Sequence, residues 1–171
     1  MNKRFSMVII HLFQENSRED GLIYIISEEV HRCPKCEGQL KTKDYRERQG
    51  WTKYGEKRHY LLRRLQCKEC GAIQIELPYF LLPYKRYNAK AIECVLHGED
   101  LDCVASIRTK KRWLMWYERI WLPILYLLNS ILEKDQDLRQ VEVRTREKPK
   151  EAGWLKTAVM AIINSGEKVP T

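Results

Sequence analysis

Apolar and polar residues alternate with period two in the first half of this chain and fall at three-four spacing in the second. Ala72-Ile73-Gln74-Ile75-Glu76-Leu77 alternates as a half-buried strand should. Gln39 to Arg48 reads as a polar strand, and Arg58 to Gln66 as a partner running back, with Gln49-Gly50 and Tyr54-Gly55 marking loops. Together they predict three short antiparallel strands. Phe5 to Phe13 and Gly21 to Ile26 also lean towards strand, although the first run is compatible with helix. The polar stretch Gln14 to Asp20 between them reads as a turn, which lets the two runs pair as a hairpin.

From Asn88 the pattern becomes helical. Asn88 can cap a helix through Leu96, with Ile92, Val95 and Leu96 on one face, and His97-Gly98-Glu99-Asp100 stops it. Leu101 to Ile107 reads as a short second helix with Asp100 as its cap. Thr109 can cap a long third helix whose apolar positions are Trp113, Trp116, Tyr117, Ile120, Ile124, Leu127 and Ile131. Pro123 is expected to kink or split it. Trp154 to Asn164 forms a short amphipathic helix, with Gly166 just beyond its end.

Cysteine spacing changes the picture. Cys33-Pro34-Lys35-Cys36 and Cys67-Lys68-Glu69-Cys70-Gly71 are two C-x2-C knuckles. Each tight turn points two thiolates at one ion, and two turns close a tetrahedron, so the pattern predicts one structural Zn2+ on Cys33, Cys36, Cys67 and Cys70. A rubredoxin-like iron site uses the same ligands. Disulfides are not expected: Met1-Asn2-Lys3-Arg4 leads into only a short apolar run, not a secretory signal, and a cytoplasmic chain keeps its thiols reduced. Cys94, His97 and Cys103 are spaced C-x2-H-x5-C, one ligand short of a second site, and read as core residues. His31 lies two residues before Cys33 and is a spare ligand at most.

The resulting expectation is an α+β fold: an N-terminal β-rich zinc ribbon followed by a helical, helix-turn-helix-like bundle. The β-rich zinc-ribbon domain spans 1–84 and the helical domain 85–134. Residues 135–171 are a charged linker and C-terminal helix. Pro78-Tyr79-Phe80-Leu81-Leu82-Pro83-Tyr84 is a stiff aromatic connector at the first boundary.

Charge sets the class of partner. Net charge is +8 and the pI about 9.2, which attracts polyanions. On the ribbon, Arg46, Arg48, Lys53, Lys57, Arg58, Arg63 and Arg64 interleave with Tyr45, Trp51, Tyr54 and Tyr60, a composition suited to backbone contact and base stacking. The third helix opens Thr109-Lys110-Lys111-Arg112, where a recognition helix would meet the major groove. No apolar run reaches the roughly 18–20 residues that span a bilayer. No phosphate-cradling glycine loop or convergent acidic triad appears, so an enzyme is not expected.

The run from Cys33-Pro34-Lys35-Cys36 through Arg63-Arg64-Leu65-Gln66-Cys67-Lys68-Glu69-Cys70 and Leu77-Pro78-Tyr79-Phe80-Leu81-Leu82-Pro83-Tyr84-Lys85-Arg86-Tyr87 resembles an uncharacterised bacterial zinc-ribbon family. That family looks like the N-terminal zinc-ribbon and helix-turn-helix modules of insertion-sequence transposases, standing alone. Over residues 30–120 the resemblance implies a non-catalytic DNA-binding accessory protein of a mobile element, with the four cysteines as zinc ligands. Two alternatives stay open. One is a protein–protein adaptor or homodimer using an apolar face around Trp116, Trp121 and Tyr126. The other is a module that binds single-stranded RNA or DNA.

Overall fold

The computed structural model of the chain describes residues 6–99, 101, 103–134 and 153–164. Six strands come first: β1 (Ser6–Ile10), β2 (Phe13–Ser17), β3 (Leu22–Ser27), β4 (Leu40–Trp51), β5 (Lys57–Cys67) and β6 (Ile73–Pro78). Three helices follow: α1 (Ala89–Leu96), α2 (Ile107–Lys134) and α3 (Trp154–Asn164). All six strands join one sheet, curled into a half-barrel. β5 is its spine. One edge of β5 pairs antiparallel with β4 along its length. The other edge pairs parallel with β3 near the start and antiparallel with β6 near the end. β1 lies parallel on β6, and β2 antiparallel on β3.

This architecture corrects the expected ribbon followed by a helical bundle. The three ribbon strands exist and are antiparallel, but they are the middle of a larger sheet. A three-stranded ribbon would leave the apolar runs Met7–Ile10 and Leu22–Ile26 uncovered. Adding them in parallel to β6 and β5 buries Ile9, Ile10 and Ile25. The expected hairpin between these runs does not form. Gln14 to Ser17, read as a turn, is the exposed polar strand β2, and Arg18–Gly21 turns instead, with Gly21 at φ +78°. Gln49-Gly50 marks no loop. It lies inside β4, where a Cβ on Gly50 would stand 2.9 Å from the Tyr60 ring and 3.1 Å from Leu81. The alternation in β6 leaves neither face in water, because Gln74 and Glu76 are fully buried.

The helices pack on the sheet through a shared core. It joins Leu62 and Leu77 to Leu81, Leu82, Ile92, Trp113, Ile124 and Leu155. Tyr117, Trp121 and Trp154 form a ring cluster between α2 and α3, with centroids 5.3–5.7 Å apart. The 78–84 connector contributes two fully buried leucines, and Phe80 lies 5.4 Å from Tyr60.

Asn88 caps α1, its Oδ1 accepting from the Ala91 amide at 2.9 Å. The helix-turn-helix is absent. No α-helix occupies the described residues between α1 and α2, and α2 starts at Ile107, two residues before Thr109. Ser106 is the capping side chain, its Oγ accepting from the Thr109 amide at 3.3 Å. α2 runs unbroken through Pro123. The proposed cap Asp100, the linker from Asp135 to Lys150, Gly166 and the side chains of Ile120, Leu127 and Ile131 lie outside the described residues.

Glu93 anchors α3. Its buried carboxylate accepts from the Gly153 amide at 2.9 Å and the Leu155 amide at 2.6 Å, the free N–H groups at that helix start. Glu93→Ala strands both donors and is expected to cost about 2 kcal/mol, the scale of a hydrogen bond to a charged group. Urea unfolding reads the loss, and hydrogen exchange should show it first in α3.

Candidate metal centre and cationic surfaces

The two knuckles fold alike. Cys33 N donates to the Gly38 carbonyl at 3.0 Å, and Glu37 N to the Cys33 carbonyl at 2.7 Å. Cys67 N donates to the Ala72 carbonyl at 2.9 Å, and Gly71 N to the Cys67 carbonyl at 3.1 Å. In both, the residue after the second cysteine is left-handed: Glu37 at φ +58° and Gly71 at φ +69°. Gly71 adopts this conformation without strain, whereas Glu37 must be held there. Gly38 is needed for space, since a Cβ there would stand 3.1 Å from Cys67 Sγ and collide with the Glu69 carboxylate.

This geometry brings all four predicted ligand atoms within 4.8 Å of one another, a set able to hold a metal ion. Cys33 and Cys70 sulfurs are 3.6 Å apart, and Cys36 and Cys67 sulfurs 3.5 Å, too far for disulfides. The Gly38 amide favours the Cys36 thiolate, but hydrogen bonds with Cys67, Cys70 and Cys33 outweigh it and push the Cys36 thiol up to about 12. A divalent cation among four sulfurs reverses that sign, because coordination favours thiolate. The site sits where β4 begins, β5 ends and β6 begins, so one ion would clip three strands. Lys68 strengthens the clip, its amide donating to the Gln39 carbonyl at 3.0 Å and its Nζ to Gln39 Oε1 at 2.6 Å.

The other cysteine–histidine set does not assemble. Cys94 Sγ donates to the Glu99 carbonyl at 2.9 Å, His97 Nε2 accepts from the Trp154 indole at 3.0 Å, and Cys103 is buried in the core. His31 faces Glu29 at 3.6 Å.

Several of the sequence-selected cations are held by the protein itself. Arg63 makes a bidentate pair with Glu76, both bonds 2.7 Å, and Glu76 is 1% exposed. Arg64 clamps Asp44 in the same way, holding that carboxyl below its ordinary range. Arg58 pairs with Glu56 at 3.0 Å. Lys53 lies 5.0 Å over the Tyr54 ring. Arg48 donates to the carbonyls of Leu82 and Lys85, and burial, with the charge of Arg46, lowers it to about 10. Arg46 and Lys57 are exposed on the β4–β5 hairpin.

On α2, Thr109 Oγ1 shares a hydrogen bond with Ser106 Oγ at 3.0 Å, and Lys110 is half-buried, while Lys111 and Arg112 face solvent. Two further cations belong with them. Arg108, Lys111, Arg112, Met115, Arg119, Leu122 and Tyr126 fall at three-four spacing and are all exposed, forming one stripe bordered by the exposed acid Glu118, which lies one turn from Met115 and Leu122. The sequence signal for Arg108 and Arg119 is this spacing, and a helix begun at Thr109 leaves Arg108 outside it. Of the suggested docking aromatics, Trp121 is buried, Trp116 is half-covered by Lys85 and only Tyr126 is exposed.

Among the described residues, no helix is long and apolar enough to cross a membrane. No curated protein and no solved structure matches the chain. Residues 33–113, from the first cysteine of the metal cluster to the first tryptophan of α2, match the model of a family described as a domain of unknown function, DUF6431.

Proposed function

We propose that the chain is a zinc-held, non-catalytic nucleic-acid-binding protein that docks duplex DNA along α2. The observation that carries this reading is the stripe of four cations, Arg108, Lys111, Arg112 and Arg119, on one exposed helix face that Glu118 borders on one side. From Arg108 to Arg119 it extends about 16 Å at a rise of about 1.5 Å per residue. That suits a straight helix laid against a duplex, whose major groove is about 12 Å wide. The first turn of α2 holds no acid, so positive side chains add to the positive helix end. Such a placement is unfavourable for the isolated fold and favourable beside phosphate.

Zinc suits the cysteine cluster because a Zn–S bond of about 2.3 Å sets tetrahedral sulfur separations near 3.8 Å. The 3.5 and 3.6 Å pairs need little movement to reach it. Four thiolates fill the tetrahedron and leave no place for an activated water, which makes the ion structural. Metal analysis of purified protein distinguishes zinc from iron. A mobile-element setting is what the sequence resemblance implies for such a protein.

The test is a salt series on random-sequence duplex. Changing Arg108, Lys111, Arg112 and Arg119 together to glutamine should reduce affinity at least 100-fold near 150 mM salt. It should also flatten the log–log salt slope by about 3.5, at about 0.9 per phosphate contact. These side chains are exposed, so the melting temperature should hold. Unchanged affinity and slope would remove the α2 interface. Salt-insensitive binding to another protein would favour an adaptor.

A further inference from the structure

A cavity of about 640 Å³ opens where the middle of β4 faces the segment after Pro83. Its floor is apolar, formed by Leu62, Ile75 and Leu77, and its wall carries Arg48, Lys85 and Arg86. Its size is within the usual range of ligand pockets, about 300–1,000 Å³. The acid on its lining, Glu47, directs its carboxylate to His59 Nδ1 at 2.6 Å.

Arg48 sets the character of the site. It is half-buried, it donates to two backbone carbonyls, and among the described residues no carboxylate pairs with it. A desolvated guanidinium satisfied only by carbonyls leaves positive potential uncompensated, which favours an incoming anion. The same two bonds hold the turn through Tyr84. That residue is at φ +59°, a conformation bulky side chains rarely adopt, and its ring stands 72% exposed at the cavity rim. Backbone strain that holds an aromatic ring in water, at the edge of a cationic pocket, is characteristic of a ligand clamp.

The cavity adjoins α2. Lys85 Nζ lies 4.0 Å from the centroid of the Trp116 ring, and Trp116 is one helical turn from Arg112 on the stripe.

We propose that this cavity receives an unpaired nucleotide of the strand held on α2. Its base stacks on Tyr84 over the apolar floor, and its phosphate meets Arg86 and Lys85. The inference rests on the nucleic-acid reading and adds a second, single-strand-specific site to it. Stacking gives such a site tolerance of base identity, because every base presents a π-face.

Calorimetric titration of the full chain tests it with four probes: a blunt 20-bp duplex, oligo(dT)10, dTMP and inorganic phosphate. The expected pattern is binding of dTMP and oligo(dT)10, with phosphate alone at least tenfold weaker than dTMP. Arg86→Gln and Tyr84→Gly should each weaken oligo(dT)10 and dTMP at least tenfold, with duplex affinity within twofold of wild type. Tyr84→Gly carries its own fold control: it relieves the left-handed strain, so its melting temperature should rise while single-strand affinity falls. Duplex binding without any dTMP or oligo(dT)10 binding overturns the cavity site and leaves the α2 reading intact. Equal affinity for phosphate and dTMP removes the base from the proposal and overturns it. Failure of all nucleic acids and of dTMP overturns both readings. Binding of dTMP alone overturns the α2 reading and the strand-linked role of the cavity.

Discussion

Cys67→Ser is expected to release the ion and unfold the β4–β5–β6 sheet. Cys67 is buried, ends β5, and has its Sγ 3.5 Å from that of Cys36. Structural zinc supplies about 10–16 kcal/mol to small folds, which matches or exceeds the whole stability of a typical domain, about 5–15 kcal/mol. The variant should show metal content falling from one ion per chain to none, loss of far-UV strand signal and loss of a cooperative melt. A strong chelator on the wild type should reproduce this. Acidification acts in the same direction, because protons compete with the ion for the thiolates and metal affinity falls with pH. Cys103→Ala is the matched control, a core thiol that should leave metal content at one. A Cys67→Ser protein that melts like wild type with its ion retained would separate the cluster from metal binding.

Arg63→Ala should cost about 3–5 kcal/mol, because it leaves the carboxylate of Glu76 buried and unpaired. Removing Glu76 instead strands a guanidinium that is 23% exposed, so the loss should be smaller. Replacing both partners with apolar residues of similar volume, Arg63→Met with Glu76→Leu, should recover most of the stability. Denaturant midpoints at constant slope measure all three. The result separates two meanings of a basic residue. A charge scan would record Arg63→Ala as a loss of nucleic-acid binding, yet the cause would be an unfolded sheet. Lys57→Ala on the exposed end of the same strand should leave stability within about 0.5 kcal/mol. If Arg63→Ala is equally harmless, the pair contributes nothing to the sheet.

The metal cluster was legible from cysteine spacing because two ligands per turn is a local constraint. The strands β4 to β6, the Asn88 cap and α3 were legible for the same reason: each depends on neighbours within a few residues. The sheet's outer connections were not. Ser6 pairs with Gln74 and Leu22 with His59, and parallel pairing across such separations leaves no trace in local alternation. The same distance hid the fate of the arginines. Arg63 and Arg64 look like free surface charge until Glu76 and Asp44 arrive from flanking strands. At α2, Ser106 and Thr109 are both acceptable caps. Choosing the later one places Lys110 in the first turn and leaves Arg108 outside the helix. The earlier one leaves Lys110 half-buried and aligns Arg108 with Lys111, Arg112 and Arg119.

The parallel β1–β6 pair has a consequence for how the chain is made. β1 leaves the ribosome before the other five strands of its sheet, yet its partner is β6, whose paired residues are synthesised roughly 3–14 s later at about 5–20 residues per second. Throughout that interval Met7-Val8-Ile9-Ile10 has no edge to join, whereas the β4–β5 hairpin and its two cysteine turns can close as soon as residue 70 is out. Order of synthesis and order of assembly are therefore reversed at this edge. Within this sheet the first strand to emerge is among the last to be placed.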